Sequence, residues 1–112
     1  MAQACNQELT SLVQRLIQIK SLSGSEQGIS TFCQEQMKQM RFDEVYIDEY
    51  SSVVGIIRGS GDRTILLDSH LDTVDIPDES KWTYPPFSGE LVGDKLYGRG
   101  AIDYPSSHIN RI

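Results

Sequence analysis

A histidine and a carboxylate stand two residues apart at the end of an apolar run in this sequence. The run Thr-Ile-Leu-Leu covers 64–67, and His70 and Asp72 follow it on alternate positions. Residues two apart in an extended segment project from the same face, so we expect the imidazole and the carboxylate to share one crevice. Neutral imidazole is a good zinc ligand, and a nearby carboxylate can orient it or accept a proton. On spacing alone a metal site stays one interpretation, and a hydrogen-bonded turn is the commoner one.

A second candidate carboxylate, Asp103, comes after a glycine-rich loop that begins at Gly98. Glycines let the backbone approach an ion or a ligand closely, which makes Asp103 a candidate ligand. By itself, an aspartate in this context is commonly a turn residue. Arg99 in the same loop is expected to be a solvated charge or the partner of an acidic residue.

Two amphipathic helices are predicted to precede these residues. The first carries an apolar stripe at i, i+3, i+4, i+7 and i+8, which is expected to face the core: Leu9, Leu12, Val13, Leu16 and Ile17. Ser23 and Glu26 fit a capping box that starts the second helix. The apolar face of the second helix is also assigned to the core: Ile29, Phe32, Cys33, Met37 and Met40.

Strand signals follow the helices. Val45 and Ile47 alternate with polar positions, and a short apolar run covers 53–57. The unbroken apolar run 64–67 predicts a parallel strand covered on both faces, and ligands bind beyond the carboxyl ends of such strands. The segment 73–89 is predicted to be an ordered irregular loop, and 90–92 and 95–97 flank a tight hairpin turn. The fold class is therefore predicted to be α/β, with helices packed on a mixed, largely parallel sheet.

The charge and hydropathy of the chain exclude several classes of partner. The 112 residues carry ten Lys and Arg against sixteen Asp and Glu, a net charge of −6, which opposes binding to the nucleic-acid backbone. No apolar run reaches the length of about 18 residues that a membrane span requires. The first residues lack the basic and apolar regions of a signal peptide, so we expect no membrane partner and a cytoplasmic location.

Three blocks of the sequence together carry a family pattern. They are Leu-Asp-Ser-His-Leu-Asp-Thr-Val over 67–74, Lys-Trp-Thr-Tyr-Pro-Pro-Phe-Ser-Gly over 81–89, and Lys-Leu-Tyr-Gly-Arg-Gly-Ala-Ile-Asp over 95–103. In this order and spacing they resemble the dinuclear zinc amidohydrolases and peptidases, which include acetylornithine deacetylase, succinyl-diaminopimelate desuccinylase, aminoacylase and the glutamate carboxypeptidases. The resemblance covers about residues 7–103. It implies that 1–103 is the N-terminal part of a metallohydrolase catalytic domain and that 104–112 is a divergent tail.

The resemblance also implies a role for each candidate residue. His70 matches the terminal ligand of one metal, Asp72 the carboxylate that holds this histidine, and Asp103 the carboxylate that bridges two metals. The implied cofactors are two divalent ions, zinc by preference, with cobalt or manganese also suited to mixed N and O ligands. The implied reaction is hydrolysis of an amide bond in small N-acyl amino acids or short peptides by a metal-activated water.

The sequence departs from the family pattern directly after Asp103. Pro105 disfavours helical geometry at Tyr104, where the family begins a long helix. A zinc site needs at least three protein ligands, and the resemblance provides only His70 and Asp103 here. We therefore expect the family's C-terminal half and its lid or dimerisation domain to be absent from this chain, which alone is expected to be inactive. A homodimer is expected only for a full-length form. The alternative is a non-catalytic truncated remnant or a small partner-binding domain.

Overall fold

The structure is a computed structural model that describes residues 2–101, with side chains from Asn6 onward. The elements in chain order are α1 (Ala2–Gln18), α2 (Gln27–Gln39), β1 (Glu44–Ile47), β2 (Val53–Ile56), a 3-10 helix (Glu79–Lys81), β3 (Glu90–Val92) and β4 (Lys95–Tyr97). The strands form two antiparallel pairs, β1 with β2 and β3 with β4. The described part of the chain is therefore a mixed α/β fold. Across residues 2–101 there is no helix of the length and apolarity needed to cross a membrane.

The first predicted helix is confirmed, and three of the five residues of its predicted core stripe are buried, whereas Leu9 and Leu12 are half-buried. Val13, Leu16 and Ile17 lie on the buried side of α1 and are 4–6% exposed. The helix packs against the segment around the second hairpin, where the Gln14 side-chain amide donates a hydrogen bond of 2.9 Å to the carbonyl of Gly89. The apolar period of α1 therefore anchors the C-terminal part of the described chain.

The second helix packs on the β1–β2 hairpin. Ile29 of α2 is completely buried, and the Ser30 hydroxyl donates a 2.6 Å hydrogen bond to the carbonyl of Ser51 in the hairpin turn. The approach is closest at Gly55, where a Cβ atom would come within 2.6 Å of the Met37 sulfur. A side chain at this position of β2 would force the Met37 side chain and the Phe42 ring to shift, so glycine suits the close approach of α2 to the sheet.

The predicted capping box at the start of α2 is wrong. The helix begins at Gln27 with Glu26 as its N-cap, and no side-chain hydrogen bond caps it. The Glu26 carboxylate instead accepts a 2.7 Å hydrogen bond from the backbone N–H of Gly24. The Ser23 hydroxyl is used elsewhere, since it donates to Asp72, 49 residues further along the chain. The Ser23 hydroxyl therefore binds a distant carboxylate instead of capping α2.

The hairpin β3–β4 is confirmed to the residue. Gly93 adopts φ 63° in the turn, a left-handed conformation that glycine takes without steric cost. The preceding loop is irregular as predicted, apart from the 3-10 helix, whose first turn is capped by the Asp78 carboxylate through the N–H of Ser80. Short-range turn chemistry therefore shapes the 3-10 helix and the hairpin turn in this region.

The predicted strand over 64–67 is wrong for the residues that the structure describes. This segment belongs to no helix or strand, and Ile65, Leu66 and Leu67 are 86, 85 and 74% exposed instead of covered. The parallel pairing found within residues 2–101 is the isolated bridge between Leu22 and Thr73. A strand forms only against a hydrogen-bonded neighbour, and the described residues do not provide one here. The Cα radius of gyration of 15.2 Å likewise exceeds the value of about 13 Å for a compact domain of 100 residues.

Candidate functional site

The segment with His70 and Asp72 is fixed at its C-terminal end. The backbone N–H of Thr73 donates a 2.7 Å hydrogen bond to the carbonyl of Ser21 in the loop between α1 and α2. This contact forms the parallel bridge between Leu22 and Thr73 and brings that loop beside the segment. The loop between the helices therefore positions Ser23 next to Asp72.

His70, Asp72 and Ser23 form a chain of hydrogen bonds. The His70 Nδ1 lies 3.1 Å from Asp72 Oδ1 and 3.0 Å from the Asp72 carbonyl oxygen. The other carboxylate oxygen, Oδ2, accepts a 2.5 Å hydrogen bond from the Ser23 hydroxyl. Because both neighbours of Nδ1 are acceptors, Nδ1 must carry the proton, which puts the lone pair of the neutral ring on Nε2. The arrangement fixes the tautomer that a metal-ligating histidine uses.

The same contacts keep Asp72 ionised. The hydrogen bond from the Ser23 hydroxyl holds the pKa of the Asp72 carboxyl below its ordinary value of 3.8, and the charge of His70 acts in the same direction. A carboxyl whose pKa falls on folding contributes stability above its unfolded-state pKa. That stability is lost as the pH drops through the lower folded-state pKa. Asp72 is therefore a carboxylate at neutral pH and can accept a hydrogen bond from the Nδ1–H group of His70.

The pair lies on a cleft of about 330 Å³. Its lining combines Cys33 and Met37 of α2, the β1–β2 turn at 50–53, and the segment 67–72. Burial raises the pKa of the Cys33 thiol to about 11, so this side chain is a neutral thiol near pH 7 and not a nucleophile. Glu26 and the turn residues Tyr50, Ser51 and Ser52 also line the cleft, so its polar groups come from three parts of the chain.

The described residues supply one position of a metal site and not a complete ligand set. Within residues 2–101, no three His, Cys, Asp or Glu side chains come together as a metal-binding group. The donor chemistry of His70, with Nδ1 held by a carboxylate, fits a single ligand. Asp103, the predicted bridging carboxylate, lies outside the described residues, as do Pro105 and the rest of 104–112. A zinc site with three or more protein ligands would need donors from beyond residue 101.

Sequence reasoning placed His70 beside Asp72 but missed two features of the surroundings. Ser23 was assigned to a helix cap, and Cys33 and Met37 only to the core, although they also line the cleft. No sequence signal links Ser23 to Asp72, because the contact spans 49 residues. The stripe predicted for the second helix is core only in part: Ile29 is buried, three residues are half-buried, and Met40 is 56% exposed. The burial of each residue depends on what packs against the helix.

Arg99 does not behave as the solvated charge or acid partner that was predicted. Its guanidinium lies 5.2 Å from the centre of the Trp82 ring, and it donates a 3.3 Å hydrogen bond to the carbonyl of Asp75. The rings of Tyr84 and Tyr97 pack 4.4 Å apart in the same part of the chain. The irregular loop is therefore held by a cation–π contact and an aromatic pair.

No family model matches the chain. The sequence is 32% identical over 96 residues to the uncharacterized protein YgeY of Escherichia coli strain K12, and equally so to YgeY of Escherichia coli O157:H7. The match covers 86% of this chain and 24% of each relative. The chain thus spans about a quarter of the length of the curated relatives it matches. The similarity therefore includes the candidate site and most of the chain, and it covers a minor part of a much longer bacterial protein.

Proposed function

We propose that this chain is the N-terminal part of the catalytic domain of a divalent-metal-dependent hydrolase. The reaction is hydrolysis of an amide bond in small N-acyl amino acids or short peptides. The observation that carries the proposal is the contact of His70 Nδ1 with the Asp72 carboxylate at 3.1 Å. This contact puts the ring lone pair on Nε2, as a metal ligand requires, on the edge of a cleft large enough for a small substrate.

Each predicted site residue has a role in this proposal. His70 would hold one ion through Nε2, and Asp72 is a positioning residue that holds the imidazole and would raise its basicity. Ser23 orients Asp72 through its hydroxyl. Asp103 would supply a second carboxylate ligand, the one that the family resemblance assigns to both ions. Zinc, or cobalt or manganese in its place, supplies Lewis-acid activation of the scissile carbonyl and of a water molecule when bound.

The activity belongs to a longer protein in this proposal. Three or more protein ligands are needed per ion, and within residues 2–101 no three His, Cys, Asp or Glu side chains come together as a metal-binding group. The match to only 24% of each bacterial relative supports a longer form. In that form we propose a largely parallel sheet, a lid or dimerisation domain, a homodimeric state and a cytoplasmic location. The 112-residue chain by itself is inactive.

The test starts from the native product, isolated from its source cell with an antibody against residues 7–40. Intact mass, metal content and release of free amino acid from N-acyl amino acids are measured on the same sample. We expect a mass well above 12.6 kDa, bound divalent metal, and hydrolysis that a chelator abolishes and added zinc restores. A product of 12.6 kDa without metal or hydrolytic activity contradicts the proposal.

Single substitutions then test the assigned residues in the active product. We expect His70→Ala and Asp103→Ala to lower kcat by roughly 1,000-fold or more, because each removes a ligand that the transition state needs. His108→Ala is the matched control, since it removes the other histidine of the chain, and activity should be unchanged. Full turnover in either variant contradicts the assignment of His70 and Asp103 as metal ligands.

A further inference from the structure

The turn between β1 and β2 presents an aromatic side chain at the cleft. Tyr50 is 80% exposed and lines the cleft of about 330 Å³ together with His70 and Asp72. A single exposed aromatic residue is ordinary on a protein surface. Small-molecule sites, however, are clefts in which aromatic side chains supply much of the contact with the ligand. The meaning of the exposed ring therefore depends on how the turn holds it and on what else lines the cleft.

The turn holds the backbone of Tyr50 in a fixed place. The Asp48 carboxylate accepts hydrogen bonds from the N–H groups of Tyr50, at 2.9 Å, and of Ser52, at 2.8 Å. Ser51 has φ 66°, a left-handed conformation that costs a serine free energy. Its carbonyl accepts a 2.6 Å hydrogen bond from the hydroxyl of Ser30, which is 0% exposed. Because the turn is held from both sides, a ligand that contacts the ring does not have to order the loop.

Apolar side chains from three parts of the chain share the cleft lining with Tyr50. Met37 of α2, Val53 of β2 and Leu71 of the irregular segment all line it, and each is half-buried. A methionine side chain is flexible and adapts to apolar groups of different shapes. The lining can therefore take up an uncharged apolar group close to His70.

The acidic residues of the cleft disfavour a ligand carboxylate. Glu26, Asp68 and Asp72 line it, and no lysine or arginine does among the residues that the structure describes. Of these three, Glu26 and Asp68 have no role in the proposed metal site. A ligand carboxylate would lie beside like charges with no described cation to pair with, which costs free energy. An N-acyl amino acid carries its carboxylate on the amino-acid side of the scissile amide, so the acyl side fits this cleft better.

We propose that Tyr50 is a specificity-determining residue whose ring packs against an apolar, uncharged acyl group of the substrate. The inference rests on the proposed hydrolase function and narrows its substrates to amides with an aliphatic or aromatic acyl group. The acidic lining selects against acyl groups that carry a carboxylate of their own. The contact is made by the ring face, so the phenol hydroxyl of Tyr50 is not required.

The first experiment measures binding without metal or turnover. The full 112-residue chain, with labelled tyrosine rings, is titrated by NMR with N-hexanoyl-alanine to about 10 mM, which detects millimolar dissociation constants. We expect the ring signals of Tyr50 to shift. The signals of Tyr46, which is 44% exposed and lies outside the cleft lining, should stay in place. N-succinyl-alanine should shift neither ring. Unshifted Tyr50 signals with the hexanoyl compound, or equal shifts with the succinyl compound, overturn the proposal.

The second experiment measures hydrolysis by the native product. Tyr50→Ala should lower kcat/KM for N-hexanoyl-alanine about tenfold and for N-acetyl-alanine less than about threefold, because a short acyl group offers little surface to the ring. The loss should come through KM, since the contact is made equally in the ground state and the transition state. Tyr50→Phe keeps the ring and should match the unmutated protein, as should the control Tyr46→Ala. Equal losses on the two substrates, or a loss in Tyr50→Phe, contradict the role of the ring.

The two experiments separate this inference from the function on which it rests. Selective shifts of the Tyr50 signals, with no hydrolysis of either compound by the native product, contradict the proposed hydrolase and support the contact of the acyl group with Tyr50. Hydrolysis by the native product, with the preference for the longer acyl group unchanged in Tyr50→Ala, supports the hydrolase and overturns the specificity role of Tyr50.

Discussion

Replacing Ile29 by alanine tests whether a buried anchor holds α2 in place beside the cleft. Ile29 is 0% exposed, and the same helix contributes Cys33 and Met37 to the cleft lining. The substitution removes three carbon atoms, which at about 0.8 kcal/mol for each buried carbon gives about 2.4 kcal/mol of transfer free energy. The cavity that remains adds to this value, so we expect the free energy of unfolding to fall by about 3 kcal/mol.

The assay is urea unfolding followed by far-UV circular dichroism, with Ile57→Ala as the matched control. Ile57 is 70% exposed, so the same chemical change there should alter the free energy of unfolding by less than about 0.5 kcal/mol. A loss below about 1 kcal/mol at Ile29, or equal losses at the two sites, would refute the assignment of Ile29 to the core. The absence of a cooperative transition in the unmutated chain would refute it as well.

Three further predictions follow from single contacts. Ser23→Ala removes the hydroxyl that lowers the pKa of Asp72, so this pKa should rise and the loss of stability in acid should begin at higher pH. Carboxyl NMR titration measures the pKa, and an unchanged value contradicts the hydrogen bond. The Cys33 pKa of about 11, against 9.0 ordinarily, implies about 100-fold less thiolate near pH 7. With the other cysteine replaced by serine, Cys33 should be alkylated about 100-fold more slowly than a free thiol. Alkylation at the rate of a free thiol contradicts the burial of Cys33. Gly93→Ala at φ 63° should cost about 1 kcal/mol in thermal unfolding, whereas Gly59→Ala, with open space around it, should not; equal effects contradict the turn geometry.

The elements set by local patterns were predictable from the sequence. The helix α1 with its buried residues, the alternation of β1, the apolar run that forms β2 and the turn at Gly93 have the expected positions. Each depends on residues within a few positions of one another, so helical period, strand period and turn chemistry are sufficient. The His-x-Asp contact is of the same kind, because the two residues are only two apart.

The failures share a dependence on distant groups. The capping box of Ser23 was wrong because the hydroxyl binds a carboxylate 49 residues away. The strand over 64–67 was wrong because a strand requires a neighbour, and no described residue pairs with it. Arg99 packs on Trp82 because the irregular loop folds back on itself. None of these partners has a signature in the local sequence.

The sequence by itself therefore determined which segments become helices and hairpins and which side chains, His70 and Asp72, stand together with donor and acceptor chemistry. The tertiary structure alone decided that Ser23 completes this pair, that α2 lines the cleft and that 64–67 is left open. The physical reason is that backbone propensity and side-chain period act over a few residues. The burial of a side chain and the partner of a hydrogen bond depend on chain segments that only folding brings together.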